Sequence, residues 1–163
     1  MAAGNTYTQI ASTTLGSAAS SVTFSSIAAT YTDLVVVVNA TFSNASTANL
    51  TLQFNGDTAS NYSATRLLGD GSAASSSRNG GTYMMIGDID NDIFTSIINI
   101  QNYSNTTTYK TALARTGFAA GYLGAYVGLW RSTAAINSFV IGYNGSGTFA
   151  AGSTFNLYGI TAA

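Results

Sequence analysis

Three aspartates spaced two residues apart are the densest group of potential metal ligands in this sequence. Asp88, Asp90 and Asp92 follow Gly87 and alternate with apolar or amide residues. Clustered carboxylate oxygens suit a hard cation, and this spacing resembles the opening of a calcium-binding loop. Ile93, however, stands where such a loop needs glycine, and no glutamate is present to close the site. We therefore favour an acidic, solvated turn or strand face, and we keep the three aspartates as the candidate calcium ligands.

Other groups that perform chemistry are scarce. The chain has no histidine, cysteine, proline or glutamate, and only 7% of its residues are charged. A serine nucleophile needs a neighbouring base, and the single lysine is Lys110. A glycosidase needs two facing carboxylates, whereas half of the aspartates here lie in one local run. The sequence therefore predicts a protein without enzymatic activity and without a cofactor.

One aromatic series is a candidate for binding. Phe118, Tyr122, Tyr126 and Trp130 recur every four residues, and Arg131 follows directly. Glycines interrupt the series, and each would cost a helix about 1 kcal/mol relative to alanine. On a strand the same residues share one face, which is the interpretation that we prefer. Such aromatics pack in a core or at a subunit interface, or stack on sugars. Tyr122, Tyr126, Trp130 and Arg131 are therefore our candidate interface or glycan contacts.

The elements that would position these residues are strands. Residues 7–11, 22–24, 50–54, 94–101 and 139–143 alternate between apolar and polar types. Residues 34–38 form a continuous apolar run, which is typical of a strand covered on both faces. Residues 69–81 are rich in serine, alanine and glycine, and we expect a long exposed loop there. About ten short strands at this spacing predict an antiparallel sandwich or barrel.

Length and charge limit the remaining possibilities. A chain of 163 residues suits one domain, which we place at residues 7–163 after a flexible N-terminal arm at residues 1–6. The net charge of −1 leaves no basic surface for a phosphate backbone, so we expect no nucleic-acid partner. No apolar run is long enough to predict a membrane span. A weakly charged surface favours association, so we expect a homo-oligomer.

Several segments resemble small virion proteins of tailed bacteriophages, including phages of cyanobacteria. The similar segments are residues 7–15, 22–27, 31–35, 54–57, 61–63, 100–104, 109–110, 129–136, 152–155 and 157–160. The resemblance implies a single-domain, all-β, jelly-roll-like antiparallel β-sandwich without enzymatic activity. It also implies either of two locations, on the capsid surface or in a tail fibre.

From this resemblance we expect a capsid decoration (cement) protein on the outer surface of a phage head. Its partners would be the major capsid protein or other virion proteins, and it would form a homotrimer. The alternative is a tail-fibre or receptor-binding module that recognises host surface glycans.

Overall fold

The computed structural model describes residues 6–43, 48–118 and 121–161, so residues 1–5 of the expected N-terminal arm lie outside the described residues. The described chain folds into thirteen strands. Their bounds are β1 Tyr7–Thr14, β2 Val22–Phe24, β3 Asp33–Ser43, β4 Ala48–Phe54, β5 Tyr62–Gly69, β6 Ala74–Gly81, β7 Met84–Ile89, β8 Ile93–Gln101, β9 Lys110–Phe118, β10 Tyr122–Trp130, β11 Phe139–Asn144, β12 Thr148–Phe149 and β13 Thr154–Ile160. In these ranges we find no helix with the length and hydrophobicity to cross a membrane.

The strands form two antiparallel sheets that pack face to face. The larger sheet has the order β1-β13-β3-β8-β9-β10-β5-β6, and the short strand β12 pairs with β3. The smaller sheet has the order β2-β11-β4-β7. Strands β1-β13-β3-β8 and β2-β11-β4-β7 have the strand order of a jelly roll, in which two Greek keys form two four-stranded sheets. The predicted all-β sandwich is confirmed.

Two hairpins extend the jelly roll on one side. The β5–β6 hairpin is inserted between β4 and β7, and the β9–β10 hairpin is inserted between β8 and β11. The hairpins meet where β10 pairs with β5, from Leu123 opposite Gly69 to Trp130 opposite Tyr62. Because β9 also pairs with β8, the larger sheet continues as β8-β9-β10-β5-β6. We call β9, β10, β5 and β6 the sheet extension.

The core lies between the sheets and is filled mainly by alternate residues of each strand. On β3, Leu34, Val36 and Val38 point inward and are fully buried. Val35 on the opposite face is also buried and Val37 is half-buried, in line with the prediction for this apolar run. Phe149 of β12 has ring contacts with several other core aromatics, among them Phe155 at a centroid distance of 5.3 Å.

One predicted element is wrong. Residues 69–81, expected to form a long loop, contain the end of β5, a turn and strand β6. The turn is closed by the Asp70 carboxylate, which accepts hydrogen bonds from the backbone N–H groups of Ser72 and Ala73. Strand β6 is almost entirely exposed, so its residues need not be apolar. Pairing with β5 holds this serine-rich segment in a strand despite its composition.

Candidate interaction surface

The aromatic series lies on β10 and the end of β9, and most of it faces the core. Tyr126 and Trp130 are only 3% and 2% exposed. Gly124 and Gly128 alternate with them on the same inner face, where a Cβ on Gly128 would collide with the side chain of Met84. The shared strand face was therefore predicted correctly. The expectation that Tyr126 and Trp130 contact a glycan or another protein is corrected, because both side chains are buried.

Trp130 is held by aromatic rings and by one hydrogen bond. It stacks on Tyr62 at a centroid distance of 6.2 Å and packs against Phe54 at 5.4 Å. Its indole N–H donates to the Asp57 carboxylate at 2.7 Å. Asp57 also accepts hydrogen bonds from the Asn61 side chain and the backbone N–H of Ala59, each at 2.9 Å. The carboxylate therefore joins β10 to the loop between β4 and β5.

These donors make the protein sensitive to acid. Hydrogen bonds from Asn61, Trp130 and Ala59 lower the pKa of Asp57 below its ordinary value of 3.8. The ionised Asp57 carboxylate therefore stabilises the folded state fully above about pH 4. This stabilisation is lost as the pH falls through the lower pKa that Asp57 has in the folded state. We expect the melting temperature to fall below pH 4, and to fall less steeply in Asp57→Asn. The pKa of Asp70 is lowered to about 2, so some acid sensitivity will remain in that variant. Calorimetry from pH 2 to pH 6 measures this difference, and equal slopes would contradict it.

The three candidate calcium ligands do not converge. Asp88 is 6% exposed and lies on β7, where its carboxylate accepts two bonds from Arg66 Nη1, at 2.8 and 2.9 Å. Asp90 and Asp92 lie beyond the end of β7 and accept hydrogen bonds from the backbone N–H groups of Asn91 and Ile93. Over the described ranges, no three acidic, histidine or cysteine side chains are grouped in a way that would hold a metal ion. The structure therefore corrects the calcium hypothesis and gives Asp88 a structural role.

The Asp88 carboxylate is the centre of a partly buried polar network. Asn49 Nδ2 of β4 donates to it at 2.6 Å, and Arg66 Nε also donates to Ser77 Oγ of β6 at 2.7 Å. The Tyr126 hydroxyl accepts the Asp88 backbone N–H at 2.8 Å. Burial raises the pKa of Tyr126 above its ordinary value, so the phenol stays protonated. This network links the sheet extension to the smaller sheet.

Two of the candidate contact residues remain at the surface. Tyr122 is 43% exposed and stacks on Phe118 at a centroid distance of 5.1 Å. Arg131 is exposed just beyond β10, and its Nη2 donates to Ser63 Oγ at 3.0 Å. Among the candidates, these two side chains are the ones available to a partner.

The outer face of the sheet extension has an exposed apolar surface that our sequence analysis missed. Leu113 of β9 is opposite Val127 of β10, and Ala125 of β10 is opposite Leu67 of β5. Leu123 is 68% exposed, Leu67 56%, Val127 45% and Leu113 43%. We call Leu67, Leu113, Leu123, Ala125 and Val127 the outer apolar patch. A depression of about 300 Å³ lies among four of these residues, all but Leu123.

In the jelly roll the same face carries both types of side chain, because Val37 of β3, Ile97 of β8 and Tyr158 of β13 share it with polar residues. Towards β1 and β13 the outer face presents Asn39, Thr95 and Asn156, and Ser12 donates to Asn156 at 2.7 Å. Contiguous exposed apolar groups mark surfaces that bind other proteins or ligands. Arginines flank the patch: Arg115 is opposite Ala125, and Arg66 lines the same depression as the patch residues. Four of the eight large hydrophobic side chains that are exposed in the described chain belong to the outer apolar patch.

Lys110, the single lysine, is not available as a catalytic base at the surface. It is fully buried at the start of β9, and its Nζ donates to the carbonyl oxygens of Thr108 and Thr133. Burial lowers the pKa of this ammonium group. Its two carbonyl partners tie the loop before β9 to the segment after β10.

The chain matches no protein-family model, and no curated protein sequence matches it.

Proposed function

We propose that this chain is a non-enzymatic structural protein of a tailed-phage virion, and that it decorates the outer surface of the capsid. The observation that supports this most is the outer apolar patch on the sheet extension. Burying it against a neighbouring protein would be favourable by about 25 cal/mol for each Å² removed from water. A decoration protein acts by such contacts, repeated over the particle.

The distribution of carboxylates also supports a structural role. All six aspartates accept hydrogen bonds within the fold, from backbone N–H groups or from side chains. Asp88, the most buried, is further neutralised by Arg66. A general acid or base needs a carboxyl group that is free to meet a substrate. These carboxyl groups instead hold turns and join the sheets.

A homotrimer bound to the major capsid protein or to another virion protein is the assembly that we propose. The alternative, a tail-fibre module that binds host glycans, depended on a strip of exposed aromatic side chains. Two of the three aromatics are buried, and Tyr122 alone remains exposed. We therefore prefer the capsid role.

The proposal predicts how charge in the outer apolar patch will affect attachment. Capsids that lack the protein are mixed with the purified chain, and the bound fraction is measured after sedimentation. We expect Val127→Asp to weaken attachment by about 30-fold or more, because a charge buried at a central interface position costs at least about 2 kcal/mol.

Tyr7→Asp is the matched control. Tyr7 is 57% exposed on β1, at the opposite edge of the same sheet, and it lies outside the patch. Attachment of the Tyr7 variant should be unchanged. Equal attachment of wild type and both variants would contradict the assignment of the patch, and failure of the wild type to bind any capsid would contradict the proposed function.

A further inference from the structure

The free edge of the larger sheet lies between two cavities. Strand β6 ends the strand order of this sheet, and β5 is its one strand partner in the described chain. A terminal strand presents backbone N–H and C=O groups along its outer side, which is a template for adding another strand. The segment from Arg78 to Gly81 lines a cavity of about 520 Å³ on one side and a cavity of about 510 Å³ on the other.

Strand alternation places these cavities on opposite faces of the sheet. Arg78 is opposite Thr65, which lies on the outer face beside Val127. Asn79 is opposite Ala64, which is buried on the inner face. The cavity of about 520 Å³ is also lined by Ser63 and Arg131, and we call it the outer cleft. The second cavity is also lined by side chains of the smaller sheet and of the β6–β7 connection, namely Asn49, Tyr83, Met85 and Asn144. We call this cavity the inner cleft.

The outer cleft has positive charge without a counter-charge. Arg78 and Arg131 both line it, and no carboxylate is among its lining residues. In the described part of the chain, Arg66 is the one cation that forms an ion pair with a carboxylate. The hydrogen bond to Ser63 uses one of the five N–H donors of Arg131 and orients its guanidinium group. A carboxylate entering this cleft would meet donors that are already in place.

Glycine keeps the space between the two clefts open. Gly80 is opposite Ser63 and Gly81 is opposite Tyr62. Because both residues are glycines, the last part of β6 carries no side chains on either face of the sheet. A peptide could therefore approach the edge closely. Its successive side chains would point alternately to the outer and the inner cleft, because strand residues alternate between faces.

From these features we propose that β6 binds an extended acidic peptide by strand addition. The peptide forms main-chain hydrogen bonds with the free edge of β6, and its carboxylate side chains pair with Arg78 and Arg131 in the outer cleft. Its alternate residues enter the inner cleft, where the amides of Asn49, Asn79 and Asn144 favour hydrogen-bonding side chains. Main-chain bonds supply affinity in this mode, and the pockets for alternate side chains supply specificity. The inference is independent of where in a virion the protein lies.

A defined peptide tests this directly. The probe is a fluorescein-labelled peptide of four Thr-Asp repeats, which places every carboxylate on one face of a strand. Fluorescence anisotropy measures its binding to the full chain. We expect saturable binding that weakens by at least about tenfold when asparagine replaces aspartate in the peptide. Equal binding of both peptides, or no saturable binding, would overturn the proposal.

Protein variants locate the site. Arg78→Gln and Arg131→Gln should each weaken binding by at least about tenfold, because each removes a charge-assisted pair. Arg115→Gln removes the same charge from the same sheet face but outside both clefts, and it should bind within about twofold of wild type. Thermal melting of each variant verifies its fold, and Arg78 is exposed, so its replacement should leave the fold intact. Equal losses of affinity in all three variants would mean that the peptide is attracted by the net charge of the protein. That result would contradict a binding site in the outer cleft.

Backbone methylation separates strand addition from side-chain binding. One peptide is N-methylated at its threonines and a second at its aspartates. Alternate N–H groups of an added strand face the partner edge, so one of these peptides should lose binding and the other should retain it. If both bind as well as the unmodified peptide, the edge of β6 is not the binding surface.

Discussion

Replacing Trp130 with alanine is expected to destabilise the fold by about 3–5 kcal/mol, the usual cost of removing a buried tryptophan. The indole is 2% exposed and packs between Tyr62 and Phe54. Its loss also removes one of the donors that hold Asp57. For a chain of this length the melting temperature should fall by about 6–20 °C. Calorimetry or urea unfolding measures the effect.

Tyr122→Ala is the control for this prediction. Tyr122 belongs to the same strand and the same aromatic series, but it is 43% exposed. Its main contact is the stacked ring of Phe118, and such pairs contribute about 0.5–1.5 kcal/mol. We expect a loss in that smaller range. If the Trp130 variant were as stable as the Tyr122 variant, Trp130 would not be a core residue and the placement of β10 would be wrong.

Breaking the ion pair between Arg66 and Asp88 should have the second-largest effect on stability. Arg66→Met leaves the Asp88 carboxylate, 6% exposed, without its cation and with only the neutral groups of Asn49 and Tyr126 as side-chain partners. Removing one member of a buried pair costs about 3–5 kcal/mol. Because the Arg66 side chain is 29% exposed, we expect the lower end, about 3 kcal/mol, for this variant. Urea unfolding followed by tryptophan fluorescence measures it.

The double variant Arg66→Met/Asp88→Leu separates the pair itself from the cost of an unpaired charge. Replacing a buried pair by apolar residues of similar volume is often neutral or stabilising. We therefore expect the double variant to lose less stability than Arg66→Met alone. A larger loss in the double variant would show that the pair contributes more than an apolar contact of the same size.

Much of the jelly roll was predictable because its strands have one buried face. Alternation on β4, β8 and β11 follows burial, and the apolar run on β3 fits a central strand. The strand β6 was not predictable from composition. An edge strand exposed on both faces needs no apolar residues, so its serines and glycines have the pattern of a loop.

The surface of the sheet extension was missed for a related reason. Strand β10 has apolar residues on both faces, Tyr126 and Trp130 on one and Leu123 and Val127 on the other. Periodicity shows which residues share a face, but it does not show which face meets the smaller sheet. We named the aromatic face as the candidate contact surface and kept core packing as the alternative. The structure instead exposes the aliphatic face.

Asp88 was misinterpreted because its partners are distant in sequence. Its run of alternating aspartates is typical of a solvated turn or a cation-binding loop, and the turn at Asp90 and Asp92 fits the former. Arg66 and Asn49 reach Asp88 only because β5, β4 and β7 meet in the sandwich. A local pattern contains no information about such a pairing.

A cryo-EM reconstruction of the phage particle proposed to carry this protein tests the capsid-decoration role most directly. We predict density for the chain on the outside of the head, with Leu113, Leu123 and Val127 pressed against a neighbouring subunit and β1 turned away. A particle in which the chain is absent, or in which that aliphatic surface faces solvent, would contradict the role proposed for it.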